Sequence, residues 1–210
     1  MDTPQFHQTT LANGLQTWSR HAAPASWCCF PHTAGLDPEA YRMAVAVHEA
    51  GHLVLDLRVG IHVNSVEITP EDINNGCGAQ RVVHGVTEIG IVAVRRSQYV
   101  TMLAAGEQAD LRWLREQGLW TPDRAWAAEM AALDDREKAI PVVKDLVPTD
   151  HRLEAIATYW GFSDAAAAEL DGCWQQVIAV ATSLDSAGRL SGDEAAAIAG
   201  LANPPEPPTE

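Results

Sequence analysis

The fold and the chemistry of this chain depend first on residues 43–55, which read MAVAVHEAGHLVL. Apolar residues surround the two histidines and the glutamate, and this pattern is typical of a helix that is buried nearly all round. Asp37 and Pro38 supply an N-cap and a first-turn proline before the segment, and Gly60 follows it as a stop signal. We therefore predict one long buried helix from about residue 38 to Arg58.

The predicted helix carries the motif HEAGH at residues 48–52, whose spacing suits a metal site. Residues four apart share one helix face, about 5–6 Å apart at Cβ, so the imidazoles of His48 and His52 can reach one ion. Glu49 is rotated by about 100° and can reach a water molecule, as in zinc hydrolases with two histidine ligands and a general base. Burying these polar side chains unpaired would cost several kcal/mol, which a metal avoids. We predict a Zn²⁺ site with Glu49 as the catalytic base.

Around this helix, the sequence predicts a mainly α protein with a small β-sheet, in the α+β class. Residues 63–69 have the partial alternation and β-branched content of a strand, residues 70–78 are rich in turn formers, and residues 79–84 can return as a second strand. Helical patterns cover residues 90–117, a segment that begins at Thr121-Pro122, residues 151–160 and residues 163–187. A last short helix begins with a capping box at Ser191.

The two ends of the chain differ from this middle part. Residues 1–35 show little periodicity, and we predict an irregular N-terminal arm that packs through its tryptophans and in which Cys28 and Cys29 serve as packing residues. Residues 36–202 form the predicted domain. Residues 203–210 are rich in proline, and we predict a disordered tail there.

Composition and charge exclude several classes of protein. The 210 residues include 14 Lys and Arg against 28 Asp and Glu, a formal net charge of −14, which would repel nucleic acid and anionic membranes. No apolar run reaches the roughly 18–20 residues of a membrane span. The four cysteines lack any CxxC spacing, which argues against a zinc ribbon or a disulfide scaffold. The N-terminus lacks the pattern of a signal peptide. We expect a cytoplasmic protein without nucleic-acid or membrane partners.

Three segments carry a resemblance to a known family. Residues 46–54, AVHEAGHLV, resemble the metallopeptidase helix of the FtsH family, whose typical form is A-x-H-E-A-G-H-A. Residues 103–110, LAAGEQAD, are similar to its L-A-G-R-x-A-E helix, and residues 173–201 have the spacing and composition of its C-terminal helices. The resemblance implies a zincin-like metallopeptidase domain over residues 36–202. No G-x-x-x-x-G-K-[ST] loop is present, so we expect a free-standing, ATP-independent domain.

The resemblance also implies a third zinc ligand, an aspartate in the first turn of a later helix. Asp123 and Asp135 both fit, because each precedes an alanine by four residues. The helix dipole already accounts for an acid at Asp123, just after Thr121-Pro122. Asp134 can cap the next helix, which leaves Asp135 without a structural role. We favour Asp135 as the third ligand, with Asp123 and Asp134 as the alternatives.

These expectations converge on a zinc-dependent hydrolase that cleaves peptide bonds in a peptide or protein substrate. Residues 79–84 are a candidate edge strand to which an extended substrate can add. Two alternatives remain open at this point. One is a dedicated hydrolase of an amide or small peptide in a biosynthetic pathway, and the other is a non-catalytic, metal-stabilised domain that binds a protein partner.

Overall fold

The structure is a computed structural model. It describes residues 6–11, 14–27, 29–75 and 78–206, and within strands it leaves the side chains of residues 73–75 and 78–81 undescribed. The described residues form a mainly helical protein with small antiparallel sheets, which confirms the predicted α+β class. In chain order, the elements are β1 (His7–Thr10), β2 (Gln16–Ser19), α1 (Phe30–Ala34), α2 (Pro38–Arg58), β3 (Val63–Asn75), β4 (Gly78–Ile89), α3 (Arg96–Leu103), α4 (Ala105–Glu116), α5 (Pro122–Ala131), α6 (Leu133–Leu146), α7 (Arg152–Asp171), α8 (Trp174–Ala187), β5 (Arg189–Ser191) and α9 (Gly192–Ala199).

Helix α2 is the central element, and its predicted bounds are confirmed. The Asp37 carboxylate caps it by accepting a hydrogen bond from the amide of Ala40 at 2.8 Å, and Pro38 occupies the first turn. The helix lies in the main core among α4, α8, α9 and β3. Gly51 brings α4 close, since a Cβ at this position would lie 2.8 Å from the Cβ of Ala109. The glycine of the motif therefore allows two helices to pack tightly behind the histidines.

The sheet beside α2 has the strand order β4-β3-β5, and both pairings are antiparallel. Strands β3 and β4 confirm the two predicted strands and extend beyond their predicted ends. Gly85 of β4 pairs with Ile68, and Thr87 pairs with Val66. Strand β4 pairs with β3 alone within the described residues, so its other edge has no strand partner, and β4 also contacts α2.

The later helices agree with the prediction in type and differ in their ends. The segment predicted as one helix over residues 90–117 begins at Arg96 and is interrupted at Ala104, between α3 and α4. Helix α7 continues through Gly161, where the prediction ended one helix and began another near Ser163. A single exposed glycine costs a helix only about 1 kcal/mol, and packing of α7 onto α4 and α6 outweighs that cost. Among the described residues, none of the helices has both the length and the apolar content needed to cross a bilayer.

The N-terminal arm is not irregular, contrary to the prediction. Strands β1 and β2 pair as an antiparallel hairpin, and α1 follows. Packing through tryptophan is confirmed for Trp27, whose ring lies 5.0 Å from the Trp126 ring of α5. The strands are only four residues long, too short for a clear alternation in sequence. The predicted packing of Cys28 lies outside the described residues.

The C-terminal tail is ordered further than predicted. The Asn203 side chain donates to the carbonyl of Val63 and accepts from its amide, both at 3.0 Å. The carbonyl of Pro204 accepts a hydrogen bond from Nδ1 of His62 at 2.6 Å. The predicted boundary at residue 203 is therefore too early, because these polar groups cover the start of β3. Residues 207–210 of the predicted tail lie outside the described residues.

Candidate metal centre

The two histidines of α2 turn the same atom toward each other. Their Nε2 atoms are 3.2 Å apart, and the rings meet edge to face at an interplanar angle of 70°. Both side chains are largely buried, with 13% and 12% of the side-chain surface of His48 and His52 exposed. The helical spacing of four residues therefore produces the convergence that the sequence predicts.

Asp135 lies in the first turn of α6 and faces both rings. Its Oδ2 atom is 3.2 Å from Nε2 of His52 and 3.5 Å from Nε2 of His48. Ligands at about 2.0–2.2 Å from a tetrahedral zinc ion lie about 3.3–3.6 Å from one another. The three atoms thus have nearly the mutual spacing that one zinc ion requires, and among the described residues they form the one such group of potential ligands.

Hydrogen bonds to the second nitrogen fix the orientation of each ring. Nδ1 of His48 donates to Oδ2 of Asp110 at 2.7 Å, and Nδ1 of His52 donates to the carbonyl oxygen of Met102 at 2.8 Å. Both acceptors lack a proton to offer, so the proton of each neutral ring belongs on Nδ1. Each Nε2 faces Asp135, and in the neutral ring its lone pair would be available to a metal ion.

The electrostatics of the cluster favour positive charge between these groups. Burial lowers the pKa of His48, but the Asp110 carboxylate reverses this and holds that pKa well above its usual range. Burial likewise lowers the pKa of His52, and Asp135 reverses it to leave the value raised. Burial raises the pKa of Asp135, but the imidazoles of His52 and His48 hold it well below its usual range. A cation at this point has carboxylates to compensate its charge.

The Glu49 side chain lies against strand β4, in the same cleft as the two histidines. Its Oε2 atom accepts a hydrogen bond from the Thr87 hydroxyl at 2.8 Å, and the residue is only 7% exposed. Gly85 makes room for this carboxylate, because a Cβ there would lie 2.6 Å from Cγ and Oε1 of Glu49. The edge strand therefore determines where the predicted base lies.

Gly106, at the start of α4, is part of the site. A glycine has no side-chain ligand atom, so the sequence did not single it out. A Cβ at this position would lie 2.4 Å from Nε2 of both His48 and His52. Only a residue without a side chain keeps the space beside these two nitrogens clear. The glycine of the LAAGEQAD segment was the available signal, together with Asp110 at its end.

The two alternative aspartates lie elsewhere. Asp123 is exposed in the first turn of α5, as expected for an acid at that place. Asp134 is exposed at the rim of the cleft, and the premise that it caps α6 is wrong, because the N-cap position belongs to Ala132 and no side chain caps it. The structure brings Asp135 alone of the three beside the histidines.

A cleft of about 650 Å³ opens over the centre. Residues 83–87 of β4 line one side, and residues of α1, α5 and α6 line others. Two charged residues of the lining, Lys138 and Asp56, are among those that the sequence did not single out. Lys138 contacts the other oxygen of Asp135, with Nζ 2.9 Å from Oδ1. Asp56 lies one turn beyond His52, and burial raises the pKa of its carboxyl to about 7.

Comparisons of the chain with protein-family models and with curated proteins found no match.

Proposed function

We propose that the chain is a zinc-dependent hydrolase that cleaves peptide bonds without ATP. The observation that carries the proposal is the convergence of Nε2 of His48, Nε2 of His52 and Oδ2 of Asp135 at separations of 3.2–3.5 Å. Within the described residues the group offers three ligand atoms. Structural zinc sites usually have four protein ligands, whereas catalytic sites have three and an open position.

A bound zinc ion would polarise a substrate carbonyl and lower the pKa of a coordinated water toward about 7. The other groups belong to the chain. Glu49 would take a proton from the attacking water, and the Thr87 hydroxyl donates to one of its two oxygens. Asp110 and the carbonyl of Met102 keep both imidazoles in the tautomer that leaves Nε2 unprotonated.

The free edge of β4 supports a peptide as the substrate. Residues 83–87 of this strand border the cleft, and Gly85 and Thr87 are already beside Glu49. An extended peptide can add to such an edge by main-chain hydrogen bonds, which would carry its backbone past the base. This arrangement, together with the FtsH-like HEAGH helix, favours peptide-bond hydrolysis over a purely structural metal domain.

Metal content and three variants test the proposal. Purified protein should contain about one zinc per chain, and His48→Ala and His52→Ala should both lose it because each removes one of three ligands. Glu49→Gln should keep the metal and the fold but lower the rate of peptide hydrolysis by about 10²–10⁴-fold, since the amide accepts no proton. Stoichiometric zinc in both histidine variants would exclude this site, and wild-type hydrolysis by Glu49→Gln would exclude Glu49 as the base.

A further inference from the structure

Behind the candidate metal centre lies a buried group of polar side chains, which we call the Arg136 chamber. It consists of Arg136 of α6, Glu107 of α4, and Tyr159 and Trp160 of α7, none of which is more than 2% exposed. Arg136 directly follows Asp135, and Glu107 directly follows Gly106. The chamber therefore adjoins two of the segments that form the centre.

Several polar atoms of the chamber have no hydrogen-bond partner within the described part of the chain. They are Nε and Nη1 of Arg136, Oε2 of Glu107, the Tyr159 hydroxyl and Nε1 of Trp160. The remaining guanidinium nitrogen, Nη2, donates to the Thr17 hydroxyl of β2 at 2.8 Å. Buried donors and acceptors are rarely left unpaired, and a buried water makes about three hydrogen bonds to such groups.

The nearby carboxylates do not pair with the free nitrogens of the Arg136 guanidinium. The Glu129 carboxylate accepts hydrogen bonds from the amide of Arg20 at 3.0 Å and from Nδ1 of His21 at 2.8 Å. Glu107 uses Oε1 to accept from the Gln108 side chain at 3.1 Å. Arg136 thus forms no direct ion pair with a described residue, although its charge acts on Glu107.

We infer that ordered water in the chamber bridges Arg136 to Glu107 and Tyr159, and that Arg136 is a positioning residue for Asp135. This inference rests on the proposed function, because it concerns the third ligand of the metal centre. Successive side chains of a helix diverge by about 100°, so one turn of α6 directs Asp135 to the histidines and Arg136 to the chamber. Anchoring Arg136 to α4, α7 and β2 fixes the rotation of that turn, and with it the direction of the Asp135 carboxylate.

Zinc affinity of the full chain tests the positioning role. Arg136→Met should bind zinc at least about tenfold more weakly than wild type, which corresponds to about 1.4 kcal/mol. With Co²⁺ in place of zinc, its visible spectrum should change, because the spectrum reports the coordination geometry. Arg136→Lys keeps the buried charge and should recover part of the affinity. Arg152→Gln is the matched control, since Arg152 joins Glu137 of α6 to the Gln16 carbonyl of β2 at the surface, and it should leave affinity and spectrum unchanged.

Tyr159→Phe tests the water bridges. If water bonds the hydroxyl, its removal should lower the melting temperature and weaken zinc binding by about threefold, and the double variant with Arg136→Met should bind no more weakly than Arg136→Met alone. If the hydroxyl is unpaired, removing it should instead raise the melting temperature. A raised melting temperature would overturn the water bridges.

The outcomes separate this inference from the proposed function. Stoichiometric zinc in wild type with unchanged affinity and Co²⁺ spectrum in folded Arg136→Met would overturn the positioning role and leave the metal centre intact. Absence of zinc binding by wild type would overturn both. If Arg136→Met does not fold, Thr17→Val decides by the same affinity measurement, because it removes only one hydrogen bond of the guanidinium, and wild-type affinity of that variant would overturn the positioning role.

Discussion

Asp135 gives its two carboxylate oxygens to different partners. Oδ2 faces the two histidines, and Oδ1 contacts Nζ of Lys138 at 2.9 Å. Asp135→Asn should weaken zinc binding by more than about a hundredfold, equivalent to about 2.8 kcal/mol, because an amide oxygen is a poorer donor to a dication and the site loses one compensating charge. Titration of the metal-free protein with zinc measures the change.

Asp123→Asn is the matched control for this prediction. Asp123 is exposed in the first turn of α5, so its replacement should cost only a helix-dipole contribution of about 0.3–1 kcal/mol in stability. Zinc affinity should remain that of wild type. Loss of zinc from Asp123→Asn with retention by Asp135→Asn would move the third ligand to α5.

Gly106 gives a second prediction at the level of the single residue. A methyl group at this position would lie within 2.4 Å of Nε2 of both histidines, so Gly106→Ala should displace the rings and reduce zinc binding sharply. The exposed Gly161 of α7 has no atom within 4 Å of a Cβ built on it, and Gly161→Ala should stabilise the protein by about 0.5–1 kcal/mol. Zinc content and thermal unfolding of the two variants separate two effects. One is the clash of a methyl group with the histidines, and the other is the general effect of replacing a helical glycine.

Arg124 of α5 holds the end of helix α1 in the wall of the cleft. The guanidinium of Arg124 donates to the carbonyls of Ala34 and Gly35 at the end of α1 and to the carbonyl of Leu119. Arg124→Met should loosen α1 and raise the KM for peptide substrates by about fivefold, as expected for a loss of about 1 kcal/mol. Zinc content should not change, because within the described residues the hydrogen bonds of the Arg124 side chain go to backbone carbonyls and not to the candidate metal ligands.

Arg96→Met is the control for the Arg124→Met prediction. Arg96 forms an ion pair with Asp145 between α3 and α6, in which both side chains are more than half exposed. Such pairs contribute about 0–1 kcal/mol, so the KM for peptide substrates should match wild type. An equal rise of KM in both variants would show that charge, rather than the support of α1, is responsible.

The buried acid Glu107 should make the free energy of unfolding depend on pH. Burial raises its pKa from 4.5 to about 8, the Glu129 carboxylate adds to this increase, and nearby cations oppose it. The charged or titratable groups around it come from four helices and the arm, and they are Glu129, Arg136, Tyr159, His48 and Arg20. In the folded state Glu107 therefore keeps a proton that the unfolded chain releases above pH 4.5.

Because the native state binds the extra proton, this group lowers the free energy of unfolding as the pH rises from about 5 to 8, by up to about 1.4 kcal/mol per pH unit. Glu107→Gln carries no proton that can be released, so the metal-free variant should lose less stability than metal-free wild type over this range. Denaturant unfolding at several pH values measures the difference. Parallel pH profiles for the two proteins would show that Glu107 is ionised in the folded state.

The local features of this protein follow from short stretches of its amino-acid sequence. The long helix α2, the caps at Asp37, Thr121 and Ser191, and the strand pair after α2 were all predictable, because each depends on residues within a few positions of one another. The convergence of His48 and His52 belongs to the same class, since the helical repeat alone places residues four apart on one face. The selection of Asp135 over its neighbours rested partly on a cap at Asp134 that does not exist.

The distant segments that complete the candidate metal centre meet only when the whole chain packs. The hydrogen bond between His48 and Asp110 joins residues 62 apart in sequence. The hydrogen bond between Thr87 and Glu49 joins residues 38 apart. The need for a glycine at position 106 likewise appears only where α4 meets the two imidazoles. No periodicity encodes these contacts, because they depend on how closely whole helices and strands pack, which the apolar surfaces of all of them determine together.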